Sequence, residues 1–274
     1  MKKFGSVISY LTIDLIKIWK NSNENNFEEN RDKYLAVENP PDACYYRQLD
    51  YIRMEKLIQF IDNYLDSITP ENEMKMEIYF NQEEPAFIDD EGVRIDEWYK
   101  LMGKHYYIEL FRMAREVFGD KIKLFYNDNN EGNREKQIIF KTVIDNIKQY
   151  EKEHGLKLID GFGMQCHFWG SEEENRTFME EMFEQCSRFG VELQITEFDV
   201  NNHSTKEIQQ SIFNNFVQVA QKYGIEVLTT WGLNDIVSWL HGEDASLVDY
   251  NCDLKPFTME YIKAFSGKAV GNKL

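Results

Sequence analysis

The chain has no pair of cysteines at metal-ligand or redox spacing. Its four cysteines, Cys44, Cys166, Cys186 and Cys252, are widely separated, with neither a CxxC pair nor a histidine ladder of zinc-finger type, and are expected to be free thiols; the even count leaves disulfides open, but nothing in the spacing argues for them. No apolar run approaches the ~18 to 20 residues of a membrane span. Positive charge is scarce: 31 Lys and Arg stand against 48 Asp and Glu, a net charge of -17 that repels phosphate backbones and anionic lipid alike. No nucleic acid and no membrane is therefore expected as a partner, whereas a neutral polymer such as a polysaccharide is not disfavoured. The opening MKKFGSVISYLTIDLIKIW begins like an export signal, but Asp14 and Lys17 interrupt it and no small-residue cleavage site follows. A cytoplasmic protein is expected, with secretion as the alternative.

At 274 residues, 42% apolar and 14% aromatic, the chain suits one α/β domain spanning 1–274 better than two small ones. From about residue 120 onward, apolar strands alternate with amphipathic helices. KIKLFYND (121–128) reads as a strand, and the helix after it closes at Gly155. KLIDGFGMQCHF supplies the next strand, and the helix beyond it opens on the capping pair Ser171 and Glu174 and stops at Gly190. VELQITEFDV (191–200) is followed by a helix with the pair Ser204 and Glu207 that ends near Gly224, then by the strand IEVLTTWG and a last helix from near Pro256.

Strand ends fall near Tyr126, Gln165, Glu197 and Trp231, which are 39, 32 and 34 residues apart. That recurrence implies a (β/α) barrel or a doubly wound sheet. Each strand ends in polar or aromatic residues: Asn127 and Asp128, Gln165 and His167, Glu197 and Asp199, Trp231. A (β/α)8 TIM barrel brings all of them to one rim, whereas a doubly wound sheet strings them along an edge, so the barrel accounts for more. Within VELQITEFDV, the period-2 rule puts Val191, Leu193, Ile195, Glu197 and Asp199 on one face, an apolar row ending in two carboxylates. The N-terminal part is plainer, with a polar loop over 21–34, a Pro-Pro turn over 38–44 and a helix over 51–66. At ~35 residues per unit, the first 75 residues hold two units rather than three. Residues 1–75 are thus expected to be a divergent or shortened part, and 76–267 the recognisable barrel units.

Four of these strand-end motifs, in order, resemble those of glycoside hydrolase family 10, the endo-β-1,4-xylanases. KLFYNDNN is similar to that family's KLFINDYN, IDGFGMQCHFWG to IDGIGMQSHL, LQITEFDV to VQITELDI, and TTWGLNDIVSWL to TFWGVTDKDSWR. LVDYNCDLKPFTMEYI is similar to its closing LFDKDYNPKPAYYAI, so the likeness covers roughly residues 90–266. The resemblance implies a retaining glycosidase that cleaves β-1,4-xylosidic bonds in xylan or xylo-oligosaccharides, with no cofactor and no metal. It makes Glu197 the nucleophile, His167 the histidine that hydrogen-bonds it, and Asp199 the acid that orients the histidine. Asn127 and Gln165 would offer sugar hydroxyls both a donor and an acceptor. Trp231 and Trp239 would line the sugar cleft, an indole face packing well on a pyranose ring. Each has a plainer use: histidine as packing, amides as loop caps, tryptophans as core. Trp98 is read as packing.

A retaining glycosidase needs a second carboxyl, protonated and about 5 to 5.5 Å from the nucleophile. In the family it belongs to WDVVNEA, ahead of a segment like DDGSLRNSPWYQIMG. The match of DDEGVRIDEWYKLMG to that segment puts the family Asn-Glu on Asn81 and Gln82. Glutamine cannot donate a proton as an acid does. Either Glu83 or Glu84 supplies it, or the position has been substituted. A second register competes, because SITPENEMKME (67–77) is similar to the family's TPENEMKWE, whose glycone-binding residues fall on Glu71, Asn72 and Lys75. The family's intervening GHTLVWH has no counterpart, which implies a deletion that takes the proton donor with it. The resemblance thus leaves two functions open, a xylan hydrolase with Glu197 as nucleophile or a xylan-binding protein lacking the acid. A barrel enzyme holding a metal with Asp128, Glu197 and Asp199 ranks below both, since His167 and the two tryptophans suit sugar better.

Overall fold

The computed structural model describes residues 2–40, 43–70, 89–93, 95 and 97–266. Its N-terminal part runs β1 (Lys3–Ile8), α1 (Tyr10–Lys20), α2 (Phe27–Glu38), α3 (Ala43–Tyr46), α4 (Tyr51–Tyr64) and β2 (Ser67–Pro70). Then follow α5 (Glu97–Met102), α6 (Tyr106–Phe118), β3 (Phe125–Asp128), α7 (Arg134–His154), β4 (Gly161–Met164), β5 (His167–Phe168) and α8 (Arg176–Ser187). The chain continues through β6 (Glu192–Val200), α9 (Lys206–Lys222), β7 (Val227–Thr230) and α10 (Thr258–Phe265).

All the named strand pairs are parallel, in the order β2-β1-β7-β6-β4-β3, with the short β5 added to β6. That order is cyclic, because the last strand pairs with the first: Lys3 lies opposite Val227 and Ser6 opposite Thr230. A doubly wound sheet reverses direction at a switch point instead of joining its first and last strands. The described strands therefore form a continuous arc of barrel wall. Two strands, β1 and β2, are complete by residue 70, as the unit length requires.

The helices are fixed by stripes of apolar residues. On α7, Phe140, Val143, Ile144 and Ile147 are buried at the i, i+3, i+4, i+7 spacing of one helix face, and Asn133 and Gly155 cap its two ends. Phe198 on β6 stacks on Phe216 of α9, with centroids 4.2 Å apart, and on Tyr261 of α10 at 5.4 Å, which clamps the strand under both helices.

Several local expectations change. Residues 21–34 are not one polar loop, since α2 begins at Phe27; a narrow stripe of Phe27, Arg31 and Leu35 is buried within an otherwise polar sequence. Arg31 is accommodated by donating to the Leu49 carbonyl at 2.8 Å. Ser171 and Glu174 do not cap α8, whose N-cap is Asn175; Glu174 instead accepts the backbone N–H groups of Trp169, Gly170 and Ser171 and ties the loop before the helix. The cap of α9 is Thr205 rather than Ser204.

Candidate active site

The site is built where β3, β5, β6 and the segment after β7 meet, and it depends on an irregularity in β6. Between β6 and β7 the register shifts: Ile195 pairs with Leu228, but Phe198 pairs with Thr230, so three steps on one strand oppose two on the other. At this bulge two consecutive side chains meet the same amide: Thr196 Oγ1 donates to Asn127 Oδ1 (2.6 Å), and Asn127 Nδ2 donates to Glu197 Oε1 (2.9 Å). Alternation is therefore broken at this point. Ile195 and Glu197 do not share a face, which corrects the period-2 expectation. Ile195 lies in the hydrophobic core with the half-buried Val191 and Leu193 packed against it, while Glu197 and Asp199 meet Asn127, His167 and Trp239.

His167 arrives by a second irregularity. The chain leaves β4 at Met164, passes Cys166 in the left-handed region (φ 58°), and rejoins β6 through β5, where His167 pairs with Asp199. A non-glycine residue there carries strain of order 1–3 kcal/mol, held by its surroundings. Here the buried Glu131 accepts the Cys166 N–H at 3.2 Å. Glycine at 163 leaves room for the crossing amide, because a Cβ there would lie 2.7 Å from Asn127 Oδ1 and 2.9 Å from Thr196 Cγ2.

The result is one chain of hydrogen bonds. Asn127 donates to Glu197 Oε1; Glu197 Oε2 lies 3.3 Å from His167 Nε2; His167 Nδ1 lies 2.8 Å from Asp199 Oδ1; and Trp239 Nε1 donates to Asp199 Oδ2 at 2.7 Å. Glu197 is 5% exposed and Asp199 1%. Trp231, buried, and Trp239, exposed, both stand T-shaped to the imidazole, at centroid distances of 6.2 and 5.6 Å. Burial opposes a charge on His167, but the hydrogen bonds and charges of Asp199 and Glu197 outweigh it and raise its pKa to about 9. The imidazole is therefore a cation between two carboxylates at neutral pH. Burial pushes the Asp199 carboxyl above its ordinary value, against the pull of His167 and Trp239. Beside the imidazole lies a cleft of about 310 Å³, walled by Glu131, Cys166, Phe178 and the exposed Trp169.

Of the residues singled out in the sequence, Glu197, His167, Asp199, Asn127, Trp231 and Trp239 come together. Gln165 sits just past β4, half-buried, its backbone N–H donating to the Asp128 carbonyl at 3.1 Å; it stands beside the hydrogen-bonded chain, not within it. Glu71, Asn72, Lys75, Asn81 and Gln82, with Glu83 and Glu84, lie outside the described residues. Asp128 is engaged elsewhere, by the Tyr126 hydroxyl at 2.7 Å and the Lys136 ammonium at 3.0 Å. Among the described residues no group of three His, Cys, Asp or Glu side chains is arranged to hold a metal ion. The four cysteines are free thiols. Thr196, Glu131 and Gly163 were not legible as site residues.

A cyclic parallel wall with carboxylates, an imidazole and indoles at its strand ends defines an α/β barrel of TIM type with a polar rim site. The sequence model of Glycosyl hydrolase family 10 matches residues 83–264, about two thirds of the chain, and the protein belongs to that family. It is 27% identical over 263 residues to endo-1,4-beta-xylanase A of Halalkalibacterium halodurans, covering 84% of this chain and 62% of that enzyme. With endo-1,4-beta-xylanase A of Thermotoga neapolitana it shares 33% identity over 164 residues, 54% of this chain and 15% of the other. The intracellular xylanase TsXylA of Thermoanaerobacterium saccharolyticum has the same fold, with a TM-score of 0.54 at 23% identity over 80% of this chain and 65% of that one. The chain thus spans less than two thirds of the length of these relatives.

Proposed function

We propose that the protein is a retaining glycosidase acting on β-1,4-linked xylan or xylo-oligosaccharides, with Glu197 as nucleophile. The observation that carries this reading is the environment of Glu197: a carboxylate 5% exposed, with one oxygen on the Asn127 amide and the other on a cationic imidazole. Both partners offer the carboxylate a hydrogen-bond donor. In the first step Glu197 attacks the anomeric carbon and the bond to the leaving oxygen breaks, that oxygen departing as phenolate from an aryl xyloside or, in xylan, taking a proton from a second carboxyl for which Glu83 and Glu84 are the candidates, while the developing positive charge at the sugar is met by the carboxylate. Water then hydrolyses the glycosyl-enzyme ester. His167, held by Asp199, keeps the nucleophile oriented. The exposed face of Trp239 offers a platform for a sugar ring.

A second reading is favoured by one observation, the glutamine at position 82 where the family motif has its acid. On that reading the protein binds xylan but cleaves it poorly. An aryl xylobioside with a good leaving group separates the two, because its phenolate departs without a proton donor. The hydrolase reading expects a burst of phenol that Glu197→Ala abolishes. Quenching of tryptophan fluorescence by xylo-oligosaccharides with no burst and no turnover would leave only the binding protein, and a burst unchanged by Glu197→Ala would remove Glu197 as nucleophile.

A further inference from the structure

We propose that Trp239 is a positioning residue for the Glu197 and His167 pair, acting through the hydrogen bond from its indole N–H to Asp199. The proposal rests on the reading of Glu197 as nucleophile and deepens it. Asp199 is almost wholly buried, and each of its oxygens has one side-chain partner, His167 on Oδ1 and Trp239 on Oδ2. A buried carboxylate oxygen without a donor is costly, so the indole N–H both stabilises the charge and fixes the rotation of the carboxyl about its last bond. That rotation sets where Oδ1 meets His167, and His167 in turn meets Glu197.

A tryptophan serving only as a stacking platform has no need to aim its N–H inward. Trp239 does both: it is 49% exposed, yet its N–H reaches the buried Asp199 at 2.7 Å and its ring stands T-shaped to the imidazole at an interplanar angle of 70°. The segment that carries it is anchored. Lys255 and Asp235 form a buried pair at 2.8 Å, and Asp235 Oδ1 accepts the Ser246 N–H at 2.9 Å. A sugar ring settling on the exposed indole face would thereby press on the same group that orients the acid.

The test is a carboxyl ¹³C titration of the sugar-free protein, with the Asp199 signal assigned by its loss in Asp199→Asn. The groups facing Asp199 are His167, Trp239 and Glu197, with Glu131 beyond the imidazole. In Trp239→Phe, the Asp199 midpoint is expected to move up by about one pH unit, the shift that loss of one donor to a charged group produces. Incorporating 3-benzothienylalanine at position 239 keeps the bicyclic face and removes only the donor, and should give the same shift. In burst kinetics both variants should lose roughly tenfold in the rate of the first step, with KM raised only in Trp239→Phe. An unchanged midpoint, or a loss confined to KM in both variants, would overturn the proposal. If no burst occurs in the parent protein, the proposed function fails, and the titration still decides this one.

Discussion

Asn127 gives its amide N–H to Glu197 across the gap between β3 and β6, at 2.9 Å, while its amide oxygen accepts the Thr196 hydroxyl. Through this one side chain, the bulge that turns Glu197 to the rim is joined to the donor that holds its carboxyl in place. Removing the donor in Asn127→Ala should slow the first step on an aryl xylobioside by about 10- to 100-fold, the range for a hydrogen bond to a charged group. Asn127→Asp should cost more, because it replaces the donor with a like charge beside the nucleophile.

Gly163→Ala tests the same geometry without touching either partner. A Cβ at this position meets Asn127 Oδ1 at 2.7 Å and Thr196 Cγ2 at 2.9 Å, too close for both to stay. The expected outcome is a destabilisation of about 1–3 kcal/mol in urea unfolding, together with a rate loss resembling that of Asn127→Ala. Normal stability with normal burst kinetics would contradict the crossing arrangement.

Two groups make stability depend on pH in the same direction. The folded pKa of His167, about 9, lies above its unfolded value of about 6.5, so its contribution is fully present below about 6.5 and is lost as pH rises through 9. Glu131 is raised to about 7 by burial, against the backbone N–H groups that pull it down. Its contribution is fully present below about 4.3 and is lost as pH rises through 7. Stability should therefore fall between pH 5 and 8, and fall less in Glu131→Gln, which cannot ionise. Urea unfolding of both proteins at pH 5 and pH 8 provides the comparison.

Asp235→Ala would strand the Lys255 ammonium, which is 12% exposed, without its carboxylate. Breaking one partner of a buried pair costs about 3–5 kcal/mol. Because the pair anchors the segment that carries Trp239, the loss of stability should come with weaker quenching of tryptophan fluorescence by xylo-oligosaccharides.

If position 82 is where the acid has been replaced, Gln82→Glu should raise xylan hydrolysis by about 10²- to 10⁴-fold, the usual worth of a general acid, and barely change the aryl burst. An equal effect on both substrates would mean that residue 82 does not protonate the leaving group.

The residue types of the site were legible in the sequence because strand ends carry chemistry in a recognisable order, and Glu197, His167, Asp199, Asn127 and the two tryptophans do converge. Their orientation was not. ELQITEFDV alternates polar and apolar residues except at the polar doublet Thr196 and Glu197, which also fits a strand that has simply reached its polar end, and the bulge between Ile195 and Phe198 appears only in the pairing with β7. Glu131 and Thr196 were illegible for a related reason. A glutamate in a strand-to-helix loop is ordinarily solvated, and its burial under the Cys166 kink is a tertiary event. The barrel was legible from the polar strand ends that one rim would gather, whereas α2 was not, its buried stripe being a single residue wide.

The most direct measurement is covalent trapping. A 2-deoxy-2-fluoroxylobioside with a dinitrophenolate leaving group forms the glycosyl-enzyme but releases it slowly, because fluorine destabilises the positively charged transition state of both steps while the good leaving group speeds only the first. Mass spectrometry of the digested protein should find one added fluoroxylobiosyl group, on the peptide containing Glu197 and bonded to that carboxyl. An adduct on a different carboxyl, or none while the sugar still quenches tryptophan fluorescence, would contradict Glu197 as the nucleophile.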